Sequence, residues 1–268
     1  MTRKTQHFVQ ALERGFKVLH AFSGEQPLLT LTQVASISGM STPTAQRITD
    51  TLLALGYLKR NNAKQFFLGP KVLTLGFHFL NGSQLTILAQ RLINEFAERY
   101  NMTVNLTVLE GGEVIYLARN EARRFLKLDI QPGYRLPAHC AAMGKVMIAA
   151  LPEPEMDEVI AGLSFERLTP HTVVDPVEFK KDVLRVREQG YAFCDRELSL
   201  EVASVAFPVL EYEGRVVAAV NVSIPAEKAQ GAYLEEAEQR IKNLGRDLSE
   251  SLGYQGEYPI IKPVAENA

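Results

Sequence analysis

With 268 residues, 46% hydrophobic and 22% charged side chains, the chain can bury substantial cores, and at roughly 100–200 residues per domain it reads as two domains. Its net charge of −2 conceals opposed halves: residues 1–80 carry nine Lys/Arg against three Asp/Glu (+6), and the remainder carries 20 against 28 (−8). No apolar run approaches the roughly 20 residues that cross a bilayer, and the polar start Met1 to Gln10 is no secretory leader, so a soluble, cytoplasmic protein without a membrane partner is expected.

A basic front suits a polyanion through counterion release, and an acidic back would be held away from phosphate. Ala11 to Phe22 places Leu12, Phe16, Leu19 and Phe22 at helical spacing, and the stretch Ser23 to Pro27 ends that helix. Thr30 or Thr32 can cap a short second helix carrying Val34, Ala35 and Ile37, which Gly39 stops. Ser41 then caps a third. At 100° per residue, Ala45, Ile48, Leu52 and Leu55 fall on its packing side, while Pro43, Gln46, Arg47 and Asp50 face outward. Thr42, Pro43, Thr44, Gln46 and Arg47 thus form a candidate DNA-reading face, with Arg47 suited to guanine and Gln46 to adenine. Leu58 onward and Gln65 to Leu68 form a hairpin around the turn Asn61 to Lys64, and Lys59, Arg60 and Lys64 at this wing would meet phosphates. A three-helix bundle used for protein contacts is the bland alternative.

Pro70 opens a connecting helix whose Val72, Leu73, Leu75, Gly76 and Phe79 make an apolar stripe ending near Asn81-Gly82. Beyond it, Leu85 to Tyr100 reads as a helix, and Thr103 to Leu109 with Glu113 to Ala118 as a hairpin about Gly111-Gly112. Phe125 to Asp129 is strand-like, and His139 to Leu151 and Val177 to Gln189 are helical. Tyr191 to Asp195, Val202 to Leu210 and Arg215 to Ile224 return as strands, and Tyr233 to Leu252 is a closing helix. Such interleaving suits a sheet with a ligand cavity on one face. From Gly253 onward the chain reads as a loose tail.

Four ordered stretches carry a family resemblance: Ala11 to Gly15, Gly39 to Arg47, Phe67 to Gly76 and Leu136 to Lys145, with Ala206 to Val209 and Val216 to Ser223 continuing it. Across residues 8–253 the chain resembles IclR-type bacterial transcription regulators, and within them the subgroup controlling breakdown of protocatechuate, 4-hydroxybenzoate and related aromatic acids. The resemblance implies an α+β protein: a winged helix-turn-helix domain (8–69), a linker helix (70–83) and a GAF/PAS-like α/β effector-binding domain (84–254), with a flexible tail (255–268). It also implies double-stranded DNA with two half-sites, a small organic acid effector, self-association as a dimer or tetramer, and RNA polymerase if the protein activates.

By the same resemblance, effector-lining positions correspond to Phe125 and Leu128 on one wall, to Leu136, Ala142 and Met143 on a loop and helix start, and to Cys194, Val202, Ser204, Asn221 and Ser223 on facing strands. Free amides near Ala141 to Met143, at a helix start, would welcome a carboxylate. Relatives that recognise small keto acids often carry an acidic residue at the position of Cys194, so the thiol here fits a flat, partly apolar acid better; control of keto-acid metabolism stays open as the alternative. The rival class is an enzyme with Cys140 as nucleophile and His139 as base. Neighbours at a helix start diverge by about 100°, so His139 is poorly placed to activate Cys140. No disulfide framework, metal site or cofactor is expected, since Cys140 and Cys194 form no CxxC pair and the five histidines lack ligand spacing.

Overall fold

The computed structural model describes residues 7–122 and 130–263. The chain divides into two compact units, Met1–Phe79 and Leu80–Ala268. The dividing point therefore falls inside the connecting helix, where the sequence pattern draws a separate linker.

In the first unit, α1 (Gln10–Leu19), α2 (Leu31–Ile37) and α3 (Thr42–Ala54) pack with the hairpin β1 (Leu58–Arg60) and β2 (Phe66–Leu68). Thr30, rather than Thr32, caps α2 in a reciprocal box with Gln33, and Gly39 takes the left-handed φ of +67° that turns the chain toward α3. Val18, Phe22, Leu29, Val34, Leu52, Leu58 and Phe66 make the core. Leu29 bonds Phe66 as an isolated bridge, a link between the loop before α2 and the wing that periodicity does not reveal. The predicted packing face of α3 needs correction. Leu55 (51% exposed) lies outside this core, and Thr49 is buried instead, its Oγ1 bonded back to the carbonyl of Gln46; on α1, Leu12 (61%) and Phe16 (49%) are exposed. Apolar spacing identifies a stripe, of which Val18 and Leu19 reach the core while Leu12 and Phe16 stay exposed.

The connecting helix α4 (Lys71–Gly82) leads to α5 (Gln84–Tyr100), which Ser83 caps and Asn101, at φ 52°, closes. The hairpin β3 (Thr103–Glu110) and β4 (Glu113–Asn120) follows, then β5 (Arg135–Pro137), a single 3-10 turn over Ala138–Cys140, and α6 (Ala142–Ala149). Two further helices, α7 (Glu153–Gly162) and α8 (Pro176–Gln189), precede β6 (Ala192–Asp195), β7 (Val202–Leu210) and β8 (Val216–Pro225), and α9 (Gly231–Ser251) completes the regular elements. The predicted helix from His139 to Leu151 is thus broken at Ala141, and α7 was not expected. The predicted strand Phe125 to Asp129 lies outside the described residues.

The six strands form one antiparallel sheet in the order β5-β4-β3-β8-β7-β6. Period-2 alternation assigns its faces. Val104, Leu106, Val205, Phe207, Val220 and Val222 point to α5 and α9, whose Ile93, Phe96, Ile241 and Leu248 meet them in a largely apolar layer. Each such burial contributes about 1.5–3 kcal/mol. The opposite face, covered by α6, carries Asn105, Thr107, Ser204, Asn221 and Ser223. Polar residues on a covered face mark where packing has given way to a site.

The tail is not loose over its described part. Tyr258 donates its hydroxyl to the carbonyl of Pro208 (2.8 Å) and stacks on Phe207, while Ile261 is 4% exposed within the α6-side core. Composition read these residues as solvated, but two apolar side chains anchor them. Among the described residues no single helix is long and apolar enough to cross a membrane.

Candidate functional site

Two surfaces carry the residues singled out by sequence. On α3, Thr42, Pro43 and Arg47 are exposed and Thr44 and Gln46 are half-buried. Pro43 occupies the first turn, where its missing N–H costs nothing. The Gln46 amide is not free, because its Nε2 donates to Asp50 Oδ1 at 2.6 Å one turn on. Arg47 lies beside a groove lined by Leu12, Gly15, Ile48 and Leu55. On the wing, Lys59, Arg60 and Lys64 are all exposed, and Arg60 rests over the ring of Phe66 at 5.3 Å. Asn61 organises the turn by accepting from the Gln65 N–H (2.9 Å) and donating to its side chain (3.1 Å).

In the second unit a narrow slot with internal room of only about 20 Å³ sits between α6 and the polar face of the sheet. Seven of the ten predicted residues line it: Ala142, Met143, Cys194, Val202, Ser204, Asn221 and Ser223. Leu136 instead packs in the core on β5, and Phe125 and Leu128 lie outside the described residues. No side chain caps α6, whose N-terminus lines the slot through Ala141, Ala142 and Met143. Gly144 lets this turn close, since a Cβ there would sit 2.1 Å from the carbonyl of Ala138.

Sequence reasoning missed the charged members. Arg119 on β4 lines the slot with its side chain 7% exposed; Nη1 donates to Asn105 Oδ1 (2.5 Å) and Nη2 to Glu121 (2.9 Å), yet buried Nε finds no partner among the described residues. Asn105 in turn donates to Asn221 Oδ1 at 2.7 Å, so the predicted amide is already tied to the guanidinium. Glu197, after β6, also lines the slot. Its Oε1 accepts from Lys145 Nζ at 2.6 Å, and Asp182 of α8 takes the same ammonium at 2.6 Å. Burial by itself would depress Lys145, but the Glu197 and Asp182 carboxylates more than offset it and hold the group above the ordinary lysine value. The signal that existed was an arginine and a glutamate at strand ends, which is too common to single out.

Cys140 and Cys194 both line the slot as buried thiols. Burial pushes Cys140 up to about 12 and Cys194 well above the ordinary thiol range, both also raised by Glu197. Cys140 donates to the carbonyl of Pro137 at 3.3 Å, and His139 Nε2 engages the carbonyl of Glu166 at 2.9 Å. Neither geometry nor ionisation makes a nucleophile. With a pKa near 12, only about one thiol in ten thousand is ionised at pH 8. Native protein is therefore expected to resist iodoacetamide at pH 8 over a period in which urea-unfolded protein is alkylated twice; rapid native labelling of Cys140, read by mass spectrometry, would contradict the buried-thiol assignment.

Residues 11–62 match the family described as IclR helix-turn-helix domain, and residues 77–250 match Bacterial transcriptional regulator IclR C-terminal. The chain is 31% identical over 230 residues to the Pca regulon regulatory protein of Pseudomonas putida, covering 85% of this chain and 79% of that protein. It is also 31% identical over 236 residues to the p-hydroxybenzoate hydroxylase transcriptional activator of Acinetobacter baylyi, covering 86% and 87%. An IclR homolog of Microbacterium hydrocarbonoxydans, solved in complex with 4-hydroxybenzoate, shares the fold with a TM-score of 0.77 at 23% identity, over 91% of this chain and 99% of that one. With both units matched, and a relative at this identity along most of its length, the chain belongs to the IclR family of DNA-binding bacterial transcriptional regulators and is not an enzyme.

Proposed function

We propose that this regulator responds to an aromatic carboxylic acid held in the slot under α6, and that the acid changes how a pair of winged domains grips two DNA half-sites. The observation that carries the reading is Arg119: a buried guanidinium whose Nε has no partner among the described residues, in a slot that also has an apolar wall of Ala142, Met143, Leu198 and Val202. A ligand carboxylate can accept from the Nε that Glu121 and Asn105 leave open, and apolar walls suit a ring. The relatives point the same way, one being an activator of p-hydroxybenzoate hydroxylase and one having been solved with 4-hydroxybenzoate bound.

On the DNA side, Thr42, Pro43, Thr44, Gln46 and Arg47 would face base edges and Lys59, Arg60 and Lys64 the phosphates. A second copy would cover the apolar stripes left open on the first unit: Val9, Leu12 and Phe16 on and before α1, and Leu73, Leu75 and Phe79 on α4, with Leu73 77% exposed. RNA polymerase becomes a partner if the acid turns transcription on. Because a ligand shifts an equilibrium only by its differential affinity, the acid must favour one of two arrangements of the connecting helix region.

Arg119→Gln tests the pocket. Removing one partner of a desolvated charge pair costs about 2–5 kcal/mol, so 4-hydroxybenzoate affinity should fall at least about 30-fold by calorimetry while acid-free operator binding is kept. Unchanged acid affinity in a folded variant would remove Arg119 from the site.

A further inference from the structure

We infer that Asp50 positions Gln46 for adenine: it holds the amide through one N–H, so that the other N–H and the carbonyl oxygen are presented together to a base edge. The inference rests on the reading of Gln46 and Arg47 given above and adds a residue to it. Gln46 Nε2 donates to Asp50 Oδ1 at 2.6 Å, four residues further along α3. A carboxylate accepts and does not donate, so this bond decides which end of the amide turns toward Asp50 and keeps Oε1 on the other side.

A glutamine amide offers two N–H donors and one oxygen, and Asp50 takes one of the donors. One donor and one acceptor remain. In the major groove adenine presents N7 as an acceptor beside its N6 amino donor, whereas guanine presents two acceptors, N7 and O6. A donor and an acceptor held side by side therefore match adenine and mismatch guanine. The holding matters because glutamine is among the side chains that lose most rotamer freedom when ordered. With Asp50 fixing it in advance, that loss no longer opposes base recognition.

Asp50 does this without engaging its other neighbour. At 100° per residue it falls between Gln46 and Arg47 on the outward side of α3, about one turn beyond both. Its Oδ1 is taken by Gln46, and among the described residues no ion pair joins it to Arg47. The Arg47 guanidinium stays open for guanine. A carboxylate on a DNA-facing helix also repels phosphate whatever the sequence, so Asp50 lowers general affinity while it sharpens the choice of base.

In vitro selection from a library of randomised duplexes, made with the full chain and its variants and read by sequencing, tests this. Wild-type protein is expected to favour adenine at one position of the enriched site by about 5- to 150-fold, and Gln46→Ala to abolish that preference. Asp50→Ala removes the acceptor and should bring adenine to within about threefold of the other bases there, leaving the guanine read by Arg47 unchanged. Asp50 is exposed and Ala is the better helix former, so this variant keeps its fold. Asp50→Asn retains an oxygen for Gln46 but loses the charge: it should preserve the adenine preference and raise affinity for every duplex by a common factor of about two to five, a separation that a merely structural role would not produce. Loss of the preference in Gln46→Ala but not in Asp50→Ala overturns the role of Asp50 and spares base reading by Gln46. An enriched site in which no position depends on Gln46 overturns both, and enrichment of no sequence at all overturns the reading of α3 itself.

Discussion

Arg47→Ala should erase the difference between operator and random DNA while leaving the melting temperature almost unchanged. Arg47 is exposed within the first two turns of α3, where a side chain can reach a base edge from the major groove. A bidentate arginine contact discriminates by about 1–3 kcal/mol, and the pair of winged domains proposed above would double it to about 2–6 kcal/mol. An exposed side chain outside the core costs less than about 0.5 kcal/mol of stability. Fluorescence anisotropy on operator and scrambled duplexes at several salt concentrations reads both effects. Lys64→Ala provides the contrast: every sequence weakens alike and the salt slope falls by about one. Should Arg47→Ala weaken both duplexes equally, α3 does not read bases through this residue.

Lys145→Met is expected to destabilise the second unit by about 3–5 kcal/mol, since Glu197 and Asp182 lose their shared cation. That is a large part of the 5–15 kcal/mol typical of a folded domain. Denaturant unfolding should show the second unit's transition at lower urea, and adding Glu197→Gln should restore part of the loss through coupling between neighbours. A shift below about 1 kcal/mol would mean that water already compensates these charges. The pH dependence has a definite sign. Lys145 is held above the ordinary lysine value of 10.5, so its contribution is intact below about pH 10.5 and is lost as pH climbs through the raised folded value.

Helix α3 was legible because three local signals agree: Gly39 for a left-handed turn, Ser41 at the cap position and Pro43 in the first turn. The hairpin strands and α8 were legible for similar reasons, the latter bounded by Asp175 and by Gly190 at φ 84°. Leu55, assigned to the packing side of α3, is 51% exposed because amphipathic spacing identifies an apolar stripe without saying how far the core covers it. Tyr258 and Ile261 sit in a polar, proline-containing stretch, and only contacts with Phe207, Pro208 and the α6-side core reveal them as anchored. Most of the uncharged slot came through the family motif. Arg119 and Glu197 did not, because a buried charge is defined by what surrounds it, and those neighbours come from β3, α6 and α8, remote in sequence.

The most direct measurement of the link between slot and DNA is operator affinity with and without saturating 4-hydroxybenzoate, at fixed salt and with acid binding verified by calorimetry. Coupling between two sites is typically about 1–3 kcal/mol, so a change of about 5- to 150-fold and an altered footprint are predicted, with acid affinity shifting by the same factor when operator is bound. Identical operator affinity and footprint with the acid demonstrably bound would contradict an effector-controlled grip on DNA.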